Sequence, residues 1–116
     1  MRITNIAKSF TKQFLLSREY KLLAEDFATD ESVIELVFKD TKSNEIVFIP
    51  VRATRNKDFL FRDEKEEYLK RRNVIRTIKW YLTKHGMLKE EVRVDLAEVS
   101  VDNKKANLRY TMKIIH

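Results

Sequence analysis

The sequence predicts a single α/β domain, residues 1–116, with a mixed β-sheet flanked by helices. Three observations carry that prediction. Apolar periodicity changes along the chain in the order helix, three strands, helix, two strands. A length of 116 residues suits one compact domain. Its 43% hydrophobic content fills a core without cross-links, and there is no cysteine to make one.

The first helix is expected over residues 5–17, where Ile6, Phe10, Phe14 and Leu15 recur at helical spacing and Thr4 or Asn5 supplies an N-cap. Residues 20–27 are strand-like, with apolar Leu22, Leu23 and Phe27. Residues 33–38 put Val33, Glu35 and Val37 on one face and Ile34, Leu36 and Phe38 on the other. Asp40-Thr41-Lys42-Ser43-Asn44 has turn chemistry, so residues 33–39 and 45–52 form a hairpin. Residues 46–51 are apolar nearly throughout, the pattern of a strand covered on both faces. Pro50 lacks a ladder donor, and a bulge beside it is the simplest accommodation.

A long helix is expected over residues 63–85. Asp63 and Glu66 have capping-box spacing, acidic residues crowd the start, and Lys79 and Lys84 lie toward the end, which suits the helix dipole. Val74, Ile75, Ile78, Tyr81 and Leu82 form its core stripe. Gly86, the only glycine, stands where a left-handed C-terminal cap is expected. Residues 92–101 and 108–115 are the last two strands.

Composition excludes several chemistries. Without cysteine there is no disulfide and no thiolate zinc site, and two histidines cannot build a histidine-rich metal centre. One glycine leaves no P-loop and no GxGxxG cradle. No motif supports Ser/His/Asp catalysis. Met1-Arg2-Ile3-Thr4-Asn5 lacks the apolar run of a signal peptide, so a cytoplasmic location is expected. The charge balance, 24 basic against 18 acidic residues, favours a polyanionic partner and equally keeps a small protein in solution.

Several stretches together carry a resemblance. Tyr20-Lys21-Leu22-Leu23-Ala24-Glu25-Asp26-Phe27, Val33-Ile34-Glu35-Leu36-Val37, Ile46-Val47-Phe48-Ile49-Pro50-Val51-Arg52-Ala53-Thr54-Arg55, Lys70-Arg71-Arg72 to Trp80-Tyr81-Leu82, and Val94-Asp95-Leu96-Ala97-Glu98-Val99 follow in order and spacing. In them the chain resembles the YraN family of predicted endonucleases, related to archaeal Holliday-junction resolvases. The resemblance implies a restriction-endonuclease-like fold and a metal-dependent nuclease ancestry. It places the family's aspartate at Glu35, its glutamate at Pro50 and its lysine at Arg52. A preceding family glutamate falls on Val33, and one on the first helix falls near Lys8.

Such a nuclease needs oxygen ligands that hold Mg²⁺ beside the scissile phosphate. Glu35 is then the only candidate metal ligand, since the Pro50 side chain offers no oxygen. Arg52 keeps a positive charge but cannot shuttle a proton. The expectation is a catalytically degenerate relative with no cofactor, or Mg²⁺ if any nuclease activity persists on branched DNA. The expected partner is nucleic acid, DNA favoured, with phosphates contacted by Arg52, Arg55, Arg72, Arg76 and Lys79. The alternative is a protein-interaction module, with an exposed Trp80 and Phe59-Leu60-Phe61 as its partner surface. For Glu35 the plain alternative is a half-buried acid paired with Arg52 or another base. For Trp80 it is a ring packed on a neighbouring element.

Overall fold

The computed structural model describes residues 3–55, 64–102 and 105–115. Its elements run α1 (Ile3–Ser17), β1 (Lys21–Ala28), β2 (Val33–Asp40), β3 (Glu45–Ile49), β4 (Val51–Thr54), α2 (Glu64–Lys84), β5 (Val92–Asp102) and β6 (Lys105–Ile115). The expected α/β class is the one observed. A mixed six-stranded sheet carries two helices, consistent with a nuclease-like fold. The element order differs in one respect: the expected third strand is two strands, β3 and β4, parted at Pro50.

That parting is an interruption without a slip. β3 lies parallel to β5 with Ile46 opposite Val92 and Phe48 opposite Val94. β4 lies parallel to the same strand with Val51 opposite Ala97 and Thr54 opposite Ser100. The offset is the same on both sides of Pro50, so the expected bulge is absent. Pro50 keeps its place because its carbonyl still accepts the Ala97 amide at 3.1 Å. In a parallel ladder one residue's N–H and C=O point to the same neighbour, so the missing donor of Pro50 is lost on the β5 side only.

The hairpin forms as expected, but its second arm pairs with β2 only as far as Ile49, short of the expected residue 52. β2 pairs antiparallel with β3 from Asp40 opposite Glu45 to Leu36 opposite Ile49. Its turn is closed by Asp40, whose Oδ1 accepts the Lys42 amide at 3.0 Å and the Ser43 amide at 3.4 Å. Asn44 then adopts a left-handed conformation, φ 62°, which asparagine tolerates well. β1 pairs with β2 through an irregularity between Leu22 and Ala24, and β6 pairs with β5 with a further one between Val94 and Leu96.

The two faces of the sheet are buried separately. Ile46, Phe48 and Val94 pack with Ile78, Tyr81 and Leu82 of α2, which is the stripe expected of that helix. Leu36, Phe38, Val47, Ile49 and Ala97 pack with Leu15 of α1. Alternation along β3 therefore sends Ile46 and Phe48 one way and Val47 and Ile49 the other, which explains its unbroken apolar run. α2 ends in a Schellman motif: the Gly86 amide donates to the Thr83 carbonyl and the Met87 amide to that of Leu82, with Gly86 at φ 65°. α1 ends likewise through Glu19 and Tyr20, but there a glutamate bears the left-handed φ of 67°. Thr4 and Asn5 lie inside α1, which begins at Ile3, so neither is its cap. Asp63 of the expected capping box, and Phe59-Leu60-Phe61, lie outside the described residues.

Candidate functional site

The hairpin register decides where the resemblance's active-site positions meet. Pairing that begins at Asp40–Glu45 would bring Glu35 opposite Pro50 one step beyond the last pair, Leu36–Ile49. There the ladder stops. The Val51 amide, which faces β2 across the opening, donates instead to Glu35 Oε1 at 2.7 Å. Glu35 thus replaces a missing strand partner with its side chain. Burial pushes its carboxyl above the usual range. The Val51 hydrogen bond, its own amide and the charge of Arg52 offset part of that push, while Asp26 adds a little to it.

Around this pair lies a cleft of ≈ 310 Å³ bounded by the start of β2, the Pro50 junction and the side of α2. Glu35, Pro50 and Arg52 all line it, together with Glu31, Ser32, Val51, Asn73 and Val74. The three positions named by the resemblance are therefore brought together. The nucleic-acid candidates are more spread. Arg55 is exposed at the end of β4, and Arg72, Arg76 and Lys79 are exposed on α2. Arg52 is half-buried and sits in a cross-strand row, with Glu98 opposite it on β5 and Arg109 opposite Glu98 on β6. Glu98 is buried, and Arg109 Nε stands 3.7 Å from its Oε1. Glu35 accepts the Val51 amide and feels the charge of Arg52, and the residue opposite Arg52 on β5 is Glu98.

These residues do not fit a Mg²⁺ centre. Such an ion demands near-octahedral oxygen ligation and is usually anchored by one or two carboxylates together with substrate phosphate. One oxygen of Glu35 is committed to the Val51 amide, and the Pro50 carbonyl already accepts from Ala97. Glu31, the other acid on the cleft wall, is held by Arg76 Nη1 at 3.0 Å. Among the described residues no group of three or more His, Cys, Asp or Glu side chains is placed to hold a metal ion. Lys8, at the position of the family's first-helix acid, pairs with Asp26 at 2.6 Å and ties α1 to β1.

Of the two readings of Trp80, the structure shows the exposed one, at 58%, and not the packed ring. One feature escaped the sequence. At the opposite end of β2 from the cleft lies a buried polar cluster centred on Arg93, whose side chain is only 4% exposed. Arg93 Nε donates to both oxygens of Asp95, Nη1 to Asp40 at 2.8 Å and to Glu45 at 2.9 Å, and Nη2 to the Tyr20 hydroxyl at 2.6 Å. Asp95 also accepts the Tyr110 hydroxyl and the Lys113 amide, the latter at the β6 irregularity. Burial pushes Asp40 up, but Arg93 and the turn amides outweigh it and hold the carboxyl at about 2. Burial and the Asp95 carboxylate together push the Tyr110 hydroxyl up.

Comparison with known proteins matches the shared part of this architecture. The model of Uncharacterised protein family UPF0102 matches residues 7–99, from α1 through nearly all of β5, and so includes Glu35, Pro50, Arg52 and α2. A UPF0102 protein of Clostridioides difficile (strain 630) is 27% identical over 94 residues, 81% of either chain. A UPF0102 protein of Caldanaerobacter subterraneus subsp. tengcongensis is 21% identical over 114 residues, 98% of this chain and 92% of the relative. One from Persephonella marina is 24% identical over 91 residues, 78% of this chain and 77% of the relative. The chain belongs to the uncharacterised protein family UPF0102, the YraN family that its motifs resemble.

Proposed function

We propose that this protein binds nucleic acid without cutting it, holding phosphates through Arg55, Arg72, Arg76 and Lys79, with Arg52 at the floor of the cleft. The observation that carries this reading is the cationic outer face of α2. At 100° per residue, Arg72, Arg76, Lys79, Thr83 and Lys84 fall within an arc of roughly 140° on that helix. All five are exposed. The same helix contributes Asn73 and Val74 to the cleft, so the cationic arc starts beside Glu35 and Pro50.

Arg76 meets Glu31, but both side chains are substantially exposed, at 59% and 40%. Such a surface pair is worth little and exchanges readily for a phosphate. No side chain in the arc is arranged to read base edges, so contacts of this kind carry affinity and register rather than sequence. The engagement of Glu35 with the Val51 amide, opposite a proline, argues against Mg²⁺-assisted hydrolysis at this cleft.

The test is fluorescence anisotropy of duplex, single-stranded and four-way-junction DNA across a salt series with Mg²⁺ present, the products then run on a gel. The expected result is binding that weakens steeply with salt while the DNA stays intact. No binding at low salt would remove the reading. Mg²⁺-dependent cleavage abolished by Glu35→Ala would replace it with a nuclease.

A further inference from the structure

Trp80 is the only tryptophan in the chain, and the sheet has a core available to bury it. Instead the residue is 58% exposed. Helical geometry puts it between Arg76, one turn before, and Lys84, one turn after, with Lys79 adjacent. Among residues 72–84 of α2 it is the only large apolar side chain left in solvent. A protein-docking hot spot normally sits in an apolar, desolvated patch. An indole flanked along the helix by Arg76 and Lys84 is instead matched to a ligand that has a flat π-face and a negative backbone.

Position adds a second constraint. Asn73 lines the cleft, and Trp80 follows seven residues later, about 10 Å along the helix at 1.5 Å per residue. Arg76 flanks the path between them, with Lys79 farther round the same helix. A strand leaving the cleft along this face meets cations first and the indole next.

We propose that Trp80 is a stacking platform for an unpaired nucleotide, with Arg76, Lys79 and Lys84 gripping the flanking phosphates, so that the preferred ligand is single-stranded nucleic acid. This rests on the reading of α2 as a nucleic-acid-binding face. A paired base is already stacked on both sides and offers no free face to the indole, whereas an unpaired base does. The phosphate grip alone serves duplex and single strand alike, and the indole is what separates them.

The sole tryptophan makes the test direct. A short oligothymidylate and a blunt duplex of matched length are titrated into the full chain, with intrinsic fluorescence and the anisotropy of labelled DNA read together. The expected result is quenching by the oligothymidylate that tracks its binding. Trp80→Ala should lose single-strand affinity by roughly tenfold or more, Trp80→Phe should keep most of it, and duplex affinity should barely change. Circular dichroism confirms that the variants fold, as an exposed position allows.

Saturable single-strand binding without quenching, or equal loss on both DNA forms in Trp80→Ala, would overturn the platform and leave the nucleic-acid reading standing. So would self-association that Trp80→Ala abolishes and oligothymidylate does not, which would assign the indole to a protein contact. Absence of binding to either DNA at low salt would overturn both.

Discussion

Glu35 accepts the amide hydrogen of Val51 at 2.7 Å, across the gap where the β2–β3 ladder ends. A side chain here does the work of a strand. Glu35→Ala removes the acceptor and leaves a half-buried N–H without its partner, at a cost of about 1–3 kcal/mol. Glu35→Gln retains a carbonyl oxygen at the same reach and should lose much less. Urea midpoints at neutral pH check the order of the two variants. Equal losses would show that packing, not the hydrogen bond, holds the junction.

The same residue predicts a pH dependence. Burial raises the Glu35 carboxyl in the folded chain above its ordinary value of 4.5. Between those two values the folded chain binds the proton more tightly than the unfolded chain, so this group's contribution falls as pH rises through the window and is fully present below it. Glu35→Gln removes the titration. The wild-type stability curve should therefore slope downward with rising pH just above 4.5 relative to that variant.

The Arg93 cluster behaves in the opposite sense. Asp40 is held at about 2 against an ordinary 3.8. Its contribution, about 2 kcal/mol from that shift, is present above pH 3.8 and lost as pH falls toward 2. Asp40→Asn should flatten the acid limb of the stability curve. Arg93→Met strands Asp40, Asp95 and Glu45 without their shared cation, and removing one partner of a buried pair costs about 3–5 kcal/mol. That is a large part of a small domain's stability. Thermal melts at neutral pH should show Arg93→Met as the most damaging of these substitutions.

Pro50→Ala should be nearly silent. It returns one ladder donor toward β5, a gain of about 1 kcal/mol, and frees the unfolded chain by about 0.4–1 kcal/mol, which offsets it. A urea midpoint close to wild type is expected. A large loss would mean that the proline ring itself shapes the cleft.

On the proposed nucleic-acid face, single substitutions Arg72→Ala and Lys79→Ala should each lower the slope of log affinity against log salt by about 1, with little dependence on DNA sequence. Lys12→Ala, on α1 and paired with Glu25, serves as the control and should leave the slope unchanged.

Much of the fold was legible because its signals are local. The Asp40–Asn44 turn fixed the hairpin, and the apolar run of residues 46–51 gave away a strand buried on both faces. The turn even implied the Glu35–Pro50 juxtaposition, since a pairing that starts at Asp40–Glu45 leaves no other partner for position 35. What stayed hidden is non-local. Arg93 and Asp95 alternate with apolar Val92, Val94 and Leu96 along β5, a pattern that reads as a half-solvated strand, yet Arg93, Asp95 and Glu98 are all buried. Trp80 stayed open between two readings, since nothing in helical spacing distinguishes an indole on the flank of a core stripe from one in solvent. The Val51 amide was invisible for a simpler reason: a backbone donor has no letter in the sequence.

The unbroken register across Pro50 has a consequence for how such a chain changes over generations. The sheet holds position 50 through its carbonyl, and the side chain there faces the cleft. A reactive residue can leave that place, or arrive there, while the strands on either side keep the same neighbours. The framework and the chemistry it carries are thus inherited separately. At this one position a family can trade its trade without rebuilding its house.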